Sequence, residues 1–204
     1  MEMTLISAFI AFAFVSSITP GPNNLMLMAS GTNYGFARTL PHLLGVSLGF
    51  TLMIILVGAG LMEVFDAYPV SYIILKTLSV VYLVFLAWKI ATAKTDEISG
   101  SELKSSKPMT FIQAAAFQWV NPKAWAMALT AISVYVVAED SLVGVIVVAL
   151  MFCAVNFPSC SCWVILGTQL RRLLNRPARL RGFNITCAIL LLLSLYPVLF
   201  RIGG

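Results

Sequence analysis

The sequence predicts an all-α integral membrane protein: six transmembrane helices arranged as two inverted three-helix repeats, with helices 1 and 4 broken by proline motifs. Three observations carry that prediction. Of 204 residues, 60% are hydrophobic and only 10% charged, with a mean hydropathy of +0.94, whereas soluble domains carry roughly 25% charged residues. The apolar stretches match the about 20 residues that cross a hydrocarbon core of about 30 Å as a helix, and they lack the alternation of barrel strands. Two of them, the first and the fourth, are interrupted at depth by proline beside asparagine.

The spans are expected at about Thr4 to Ala29, Leu43 to Met62, Val70 to Ile90, Phe111 to Val137, Leu142 to Leu166 and Phe183 to Phe200, with no soluble domain. The first resembles a secretory leader in length. Its head carries Glu2 without Lys or Arg, however, and no small-x-small cleavage site precedes Thr19, so it is expected to stay as a spanning helix. Inside it lies Ser16-Ser17-Ile18-Thr19-Pro20-Gly21-Pro22-Asn23-Asn24. Pro20 and Pro22 lack amide donors and crowd the carbonyls four residues back, so Ser16 and Ile18 lose the usual partners of their carbonyls. In hydrocarbon such groups cost several kcal/mol each, and a break is tolerated only where it faces protein or a watery cavity. That makes the break a candidate site.

Helix 2 is expected to start after Pro41 and carries Gly45, Gly49, Gly58 and Gly60, read as close packing surfaces. Gly35 belongs to the turn before it. Helix 3 holds Lys76 about six residues from its outer end, either snorkelling to the headgroups or facing the bundle as a functional charge. Tyr82 either packs or offers its hydroxyl to a cavity, and Trp88 reads as an interfacial anchor. Helix 4 contains Gln118-Trp119-Val120-Asn121-Pro122-Lys123-Ala124-Trp125. In helix 5, Asn156-Phe157-Pro158 marks a lesser kink, followed by Cys160 and Cys162 at a spacing too close for the usual metal or thioredoxin-type motif. Helix 6 carries Asn184 and Tyr196-Pro197 without evident chemistry. All four cysteines, Cys153, Cys160, Cys162 and Cys187, lie in apolar segments and read as small buried hydrophobes.

Lys and Arg are sorted by loop. Arg38 lies in the first, Lys94, Lys104 and Lys107 in the third with Lys89 at its edge, and Arg171, Arg172, Arg176, Arg179 and Arg181 in the fifth. The second loop (Glu63, Asp66) and the fourth (Glu139, Asp140) have none. By the positive-inside rule, loops one, three and five are cytoplasmic and both termini are outside, with Arg201 the one dissenter. The net charge of +5 is therefore a topology signal and not a nucleic-acid footprint. A polar linker, about 92–110, divides a single transporter domain, 1–204, into repeats of about 1–91 and 111–204. Each repeat has an odd number of helices, so the second enters from the opposite side, as in many secondary transporters. Helix 1 needs about 21 Å to reach Ile18 from its outer end, and helix 4 about 15 Å to reach Asn121 from its inner end. Both breaks are thus expected near the midplane.

No acidic residue lies deep in a helix, and His42, the single histidine, is expected at a cytoplasmic helix start. Neither a metal centre nor a Ser-His-Asp hydrolase can be built from that set, so no cofactor, metal or enzymatic activity is expected. The breaks offer dipoles instead: carbonyls at the end of one half-helix and amides at the start of the next. One break can therefore meet an ammonium with carbonyls and a carboxylate with amides. Asn23, Asn24 and Asn121 add donors and acceptors, and Lys123 adds a charge at depth. A small zwitterion such as an amino acid suits this set. For Asn23 and Asn24 the alternative role is capping the second half-helix.

Thr19-Pro20-Gly21-Pro22-Asn23-Asn24, then Gly35, Arg38, Gly45 and Gly49, Lys76, Tyr82-Leu83 and Asn121-Pro122-Lys123 together resemble the LysE/RhtB family of bacterial amino-acid exporters. Ala87-Trp88-Lys89-Ile90-Ala91-Thr92 is similar to a stretch in its cysteine and O-acetylserine exporters. Ser79-Val80-Val81 departs from the family's usual Gly-Ala-Ala. The resemblance implies a multi-pass protein of the bacterial inner membrane that exports amino acids or related metabolites by proton-coupled antiport. Substrate binding is expected at Thr19, Pro20, Gly21, Pro22, Asn23, Asn24, Asn121, Pro122 and Lys123, with Lys76, Tyr82 and Gln118 coupling or lining the site. Expected partners are the amino acid, protons, the lipid bilayer and, as an open option, a second copy in a homodimer. Two rival classes are a membrane thiol-disulfide carrier of the cytochrome-c-biogenesis kind and a non-transporting assembly subunit. The first would need a cysteine at each break, where this chain has Thr19 and Asn121.

Overall fold

The computed structural model of the chain describes residues 3–61, 63, 67–68, 70–93, 107–136, 142–174 and 176–194. The regular elements among them are helical. They are α1 (Met3–Ile18), α2 (Pro22–Tyr34), α3 (Phe36–Leu56) with a π-helical extension (Val57–Leu61), α4 (Val70–Ala91), α5 (Phe111–Phe117), a 3-10 turn (Gln118–Val120), α6 (Pro122–Tyr135), α7 (Leu142–Leu173) and α8 (Pro177–Leu193). Phe36–Leu61, Ile73–Ala91 and Leu142–Leu173 are long and apolar enough to cross a membrane. A fourth crossing results if α1 and α2, bent by 55° at their break, count as one span. Ile73, Val81 and Trp88 on α4 and Leu150 on α7 are more than half exposed, as suits a wall against hydrocarbon.

The helices overrun the expected spans. α2 continues past Ala29 to Tyr34, α7 past Leu166 to Leu173, and α8 starts at Pro177 and not Phe183. Hydropathy reads the thickness of the hydrocarbon slab, while a helix continues into the headgroups as long as its backbone bonds hold. Arg171 and Arg172 therefore sit in the last turn of α7, where cations complement free carbonyls. The start of α3 corrects the expectation more sharply: it begins at Phe36, with Pro41 inside the helix. Pro41 deprives only the carbonyl of Ala37, which is at the exposed end of the helix where solvent can replace the lost bond. His42 is consequently not at a helix start but buried within α3, 2% exposed. Glu2, Asp66, most of the linker (94–106), Glu139, Asp140, Tyr196-Pro197 and Arg201 lie outside the described residues.

α7 is the axis of the bundle, packing on α1, α2 and α3; α3 packs on α5, and α4 on α8. Two crossings bring backbones together with no side chain between them. In one, Gly31 of α2 lies against the backbone of Val164, Gly167 of α7 lies against the carbonyl of Met28, and Thr32 Oγ1 donates to the Gly167 carbonyl at 2.9 Å. In the other, Gly45 and Gly49 of α3 lie against Phe111 and Ala115 of α5. Gly35, at φ 80°, turns α2 into α3 through a backbone conformation that side chains disfavour.

Two apolar cores lie either side of the α1–α2 break. At the end where α1 begins and α6 finishes, Phe9 meets Tyr135 and Phe152 edge-on at 5.1 and 5.7 Å, and Phe50 meets Phe152 at 5.0 Å. Toward the opposite end, Met26, Leu27, Leu43, Leu83, Leu86 and Phe117 form the second. Because an added methyl at Gly167 would strike the Met28 backbone, Gly167→Ala should destabilise the protein by about 1–3 kcal/mol. Gly182→Ala, with nothing within 4 Å of the new methyl, should be near neutral. Thermal unfolding in detergent compares the two directly.

Candidate functional site at the paired helix breaks

The carbonyls left over where α1 stops are each met by a side chain. Thr19 Oγ1 turns back to the Ser16 carbonyl at 3.1 Å, and the indole Nε1 of Trp163, from α7, donates to the Ile18 carbonyl at 3.1 Å. These are the two carbonyls that the prolines deprive. Asn24 Nδ2 donates to the carbonyls of Ser17 (2.7 Å) and Thr19 (2.8 Å). Lys123 Nζ, from the other break, donates to the Thr19 carbonyl at 2.7 Å and Thr19 Oγ1 at 2.9 Å, with the Pro20 carbonyl at 3.5 Å. Gly21 makes room for it, since a side chain there would meet Lys123 Cδ at 2.7 Å.

α2 starts with Pro22, in the first helical turn where its missing amide is not needed. Gly21 is its N-cap, and no side chain caps it. The capping role weighed for Asn23 and Asn24 is therefore corrected. Asn24 serves the end of α1, because the buried orphan carbonyls there are within its reach. Asn23 reaches to the turn before the second break: its Nδ2 donates to Gln118 Oε1 at 2.8 Å, and Gln118 Nε2 returns a bond to Asn23 Oδ1 at 3.3 Å.

The second break is built differently. α5 tightens into the 3-10 turn, Asn121 leaves helical geometry, and its Oδ1 accepts the Lys123 amide at 3.1 Å as the cap of α6. Pro122 again occupies the first turn. Gln118, fully buried, also donates to the Ala114 carbonyl at 2.8 Å. From α7, Asn156 Nδ2 donates to Ser17 Oγ at 3.1 Å, and Cys160 Sγ lies 3.7 Å from both Asn24 Oδ1 and Asn156 Oδ1. Ser17, Gly21, Asn23, Asn24, Asn121 and Lys123 line a cavity of about 20 Å³, enough for about one water. Phe50, from the aromatic core, closes one side of it.

The sequence matches the LysE type translocator family over residues 14–194. The chain belongs to this family. It is 34% identical over 196 residues to the cysteine/O-acetylserine efflux protein of Escherichia coli O139:H28 (strain E24377A / ETEC), covering 94% of this chain and 96% of the relative. The proteins of the same name from Escherichia coli (strain K12) and Shigella sonnei (strain Ss046) are 34% identical over 195 residues, covering 94% of this chain and 95% of theirs. No solved structure matches.

Of the residues singled out from sequence in this translocator, Thr19 to Asn24, Gln118, Asn121, Pro122 and Lys123 converge at the two breaks. Lys76 does not. Half-buried on α4, it makes no hydrogen bond or ion pair among the described residues and is not in the cavity wall. Tyr82 sets its ring 5.7 Å from that of Phe117, tilted by 39°, without lining the cavity. Sequence reading missed Ser17 as a partner, together with Asn156, Cys160 and Trp163. Asn156 had a signal, a lone amide before a proline in an apolar run, and Ser17 lay within the break already singled out; Cys160 and Trp163 had none. Cys160 and Cys187 are buried as expected, but Cys162 is exposed. Asn184 also has a partner, exchanging bonds with Asn33 at 3.0 and 3.4 Å.

Asn24→Leu keeps the bulk of the side chain and removes the donor for the buried Ser17 carbonyl. It should cost about 1–3 kcal/mol, read as a lowered unfolding midpoint of the detergent-solubilised protein.

Proposed function

We propose that the chain is a secondary transporter exporting small zwitterionic amino acids of the cysteine and O-acetylserine kind, coupled to protons in antiport. One observation carries this reading: the Lys123 ammonium rests among the Thr19 and Pro20 oxygens. Those oxygens are a receptor for an ammonium group, and Lys123 occupies it. An arriving amino acid places its own ammonium there. Lys123 then turns to the ligand carboxylate, which the uncapped N-terminus of α2 also favours. No carboxylate side chain is needed. The names of the relatives support the choice of substrate, and family membership favours a transporter over an enzyme, a redox carrier or an assembly subunit.

The same reading places the chain in the bacterial inner membrane as six spans in two inverted repeats, about 1–91 and 111–204. Reciprocal packing supports it: α3 and α7, the helices that follow the two broken spans, each pack on the broken span of the other half, and the third helices, α4 and α8, pair. With the Arg- and Lys-bearing helix ends inward, the aromatic core around Phe9 and Phe152 lies on the outer side of the breaks. Binding falls to the residues from Thr19 to Asn24 and from Asn121 to Lys123, with Gln118 joining the halves. Lys123 is the coupling residue; Lys76 and Tyr82 take part from the flank.

Proteoliposomes loaded with labelled cysteine or O-acetylserine, under an imposed pH gradient, test the assignment. Wild type should release label in a gradient-dependent manner, and Asn24→Ala and Lys123→Met should lose at least about tenfold in rate, as removal of about 1.4 kcal/mol or more of binding implies. Unchanged pH-driven efflux in both Lys76→Met and Lys123→Met would sink the lysine coupling. No efflux of any amino acid by the wild type would sink the transporter.

A further inference from the structure

A second and larger cavity, of about 60 Å³, lies beside the C-terminal half of α2. Its polar wall is Ser30, Asn33, Tyr34, His42, Lys89 and Lys107, contributed by α2, α3, α4 and the segment before α5. His42 is 98% buried, and neither Nδ1 nor Nε2 has a hydrogen-bond partner. Buried polar atoms without partners are rare in folded proteins, and a neutral imidazole presents both a donor and an acceptor. Lys89 and Lys107, both exposed, make no ion pair or hydrogen bond among the described residues, and no Asp or Glu among the described residues lines the cavity. Met26, Leu86, Ile90 and Met109 supply an apolar floor. The chemistry asks for a carboxylate on a short apolar body. A water would satisfy the imidazole alone, whereas two cations in the same wall favour an anion.

Position supplies the purpose. Met26, Ser30 and Asn33 follow Asn23 on α2 at three, seven and ten residues, which keeps them on one helix face. At helical rise the cavity therefore extends from about 4 to about 15 Å beyond the break. Along that face Asn23, bonded to Gln118, lines the smaller cavity and Met26, three residues on, lines the larger.

We propose that this cavity is a loading site, where His42, Lys89 and Lys107 hold the carboxylate of the outgoing amino acid before it passes the Asn23–Gln118 pair. The proposal rests on the amino-acid export reading, and its test separates the two. Ala93, at the cavity wall, is replaced by cysteine, and inside-out membrane vesicles are treated with an impermeant maleimide, the adduct at residue 93 being read by peptide mass spectrometry. O-acetylserine at saturating concentration should slow labelling at least about fivefold. Its methyl ester, lacking the carboxylate, should not, and the Lys89→Met/Lys107→Met double variant should lose the protection. In transport assays the double variant should raise the KM from the inner face at least about fivefold with kcat within twofold.

Equal labelling with and without O-acetylserine overturns the loading site, even where the wild type transports. Protection by phosphatidylglycerol in place of O-acetylserine also overturns it, assigning the cavity to a lipid headgroup. Protection without any transport supports the binding site while overturning the export reading.

Discussion

Backbone carbonyls at the end of α1 have to find donors inside the protein, because surrounding hydrocarbon offers none, and that constraint organises the bundle. Four oxygens, the carbonyls of Ser17, Ile18 and Thr19 and the Thr19 hydroxyl, are reached by side chains from α2, α6 and α7, while the Thr19 hydroxyl itself serves the Ser16 carbonyl. Trp163 and Lys123 can reach only if α7 and the second break are held close. The glycines at the α2–α7 and α3–α5 crossings provide that closeness. These unmet valences therefore couple elements more than 100 residues apart in sequence.

In the proposed function the same oxygens receive the substrate. A carbonyl cluster that needs a cation is indifferent to whether the ammonium belongs to Lys123 or to an amino acid, so the structural bond and the binding bond are alternatives at one place. Substrate entry then has an internal competitor, and release has an internal replacement. In the same proposal the Asn23–Gln118 pair is an exchangeable contact, since two amides exchanging bonds can part and each bond a passing ligand. Around these, the aromatic core at the Phe9 end closes one approach while the cavity at the His42 end keeps the other roomier.

Much of this was legible in the residues. Prolines flanked by polar residues inside two apolar runs located both breaks, because proline chemistry is local and hydrocarbon leaves few reasons to tolerate it. Close packing at Gly45 and Gly49 was legible for the same reason: a missing side chain at four-residue spacing makes a flat face in any helix. Helix limits were not, since hydropathy marks the membrane edge and α2, α3 and α7 continue beyond it. Nor was His42, which was expected at a helix start because Pro41 precedes it; α3 begins a turn and a half earlier and carries the imidazole into the interior.

By itself, the sequence determined that the chain lies in a membrane, where its helices break, and which groups there are short of partners, because these follow from composition and from bonds between near neighbours. Which partners meet those groups was decided by the tertiary structure alone. Asn24 serves α1 and not α2, Gln118 pairs with Asn23, Lys123 lies over Gly21, and Trp163 and Asn156 arrive from α7, since a side chain's reach is set by where another helix crosses, and no local pattern encodes that.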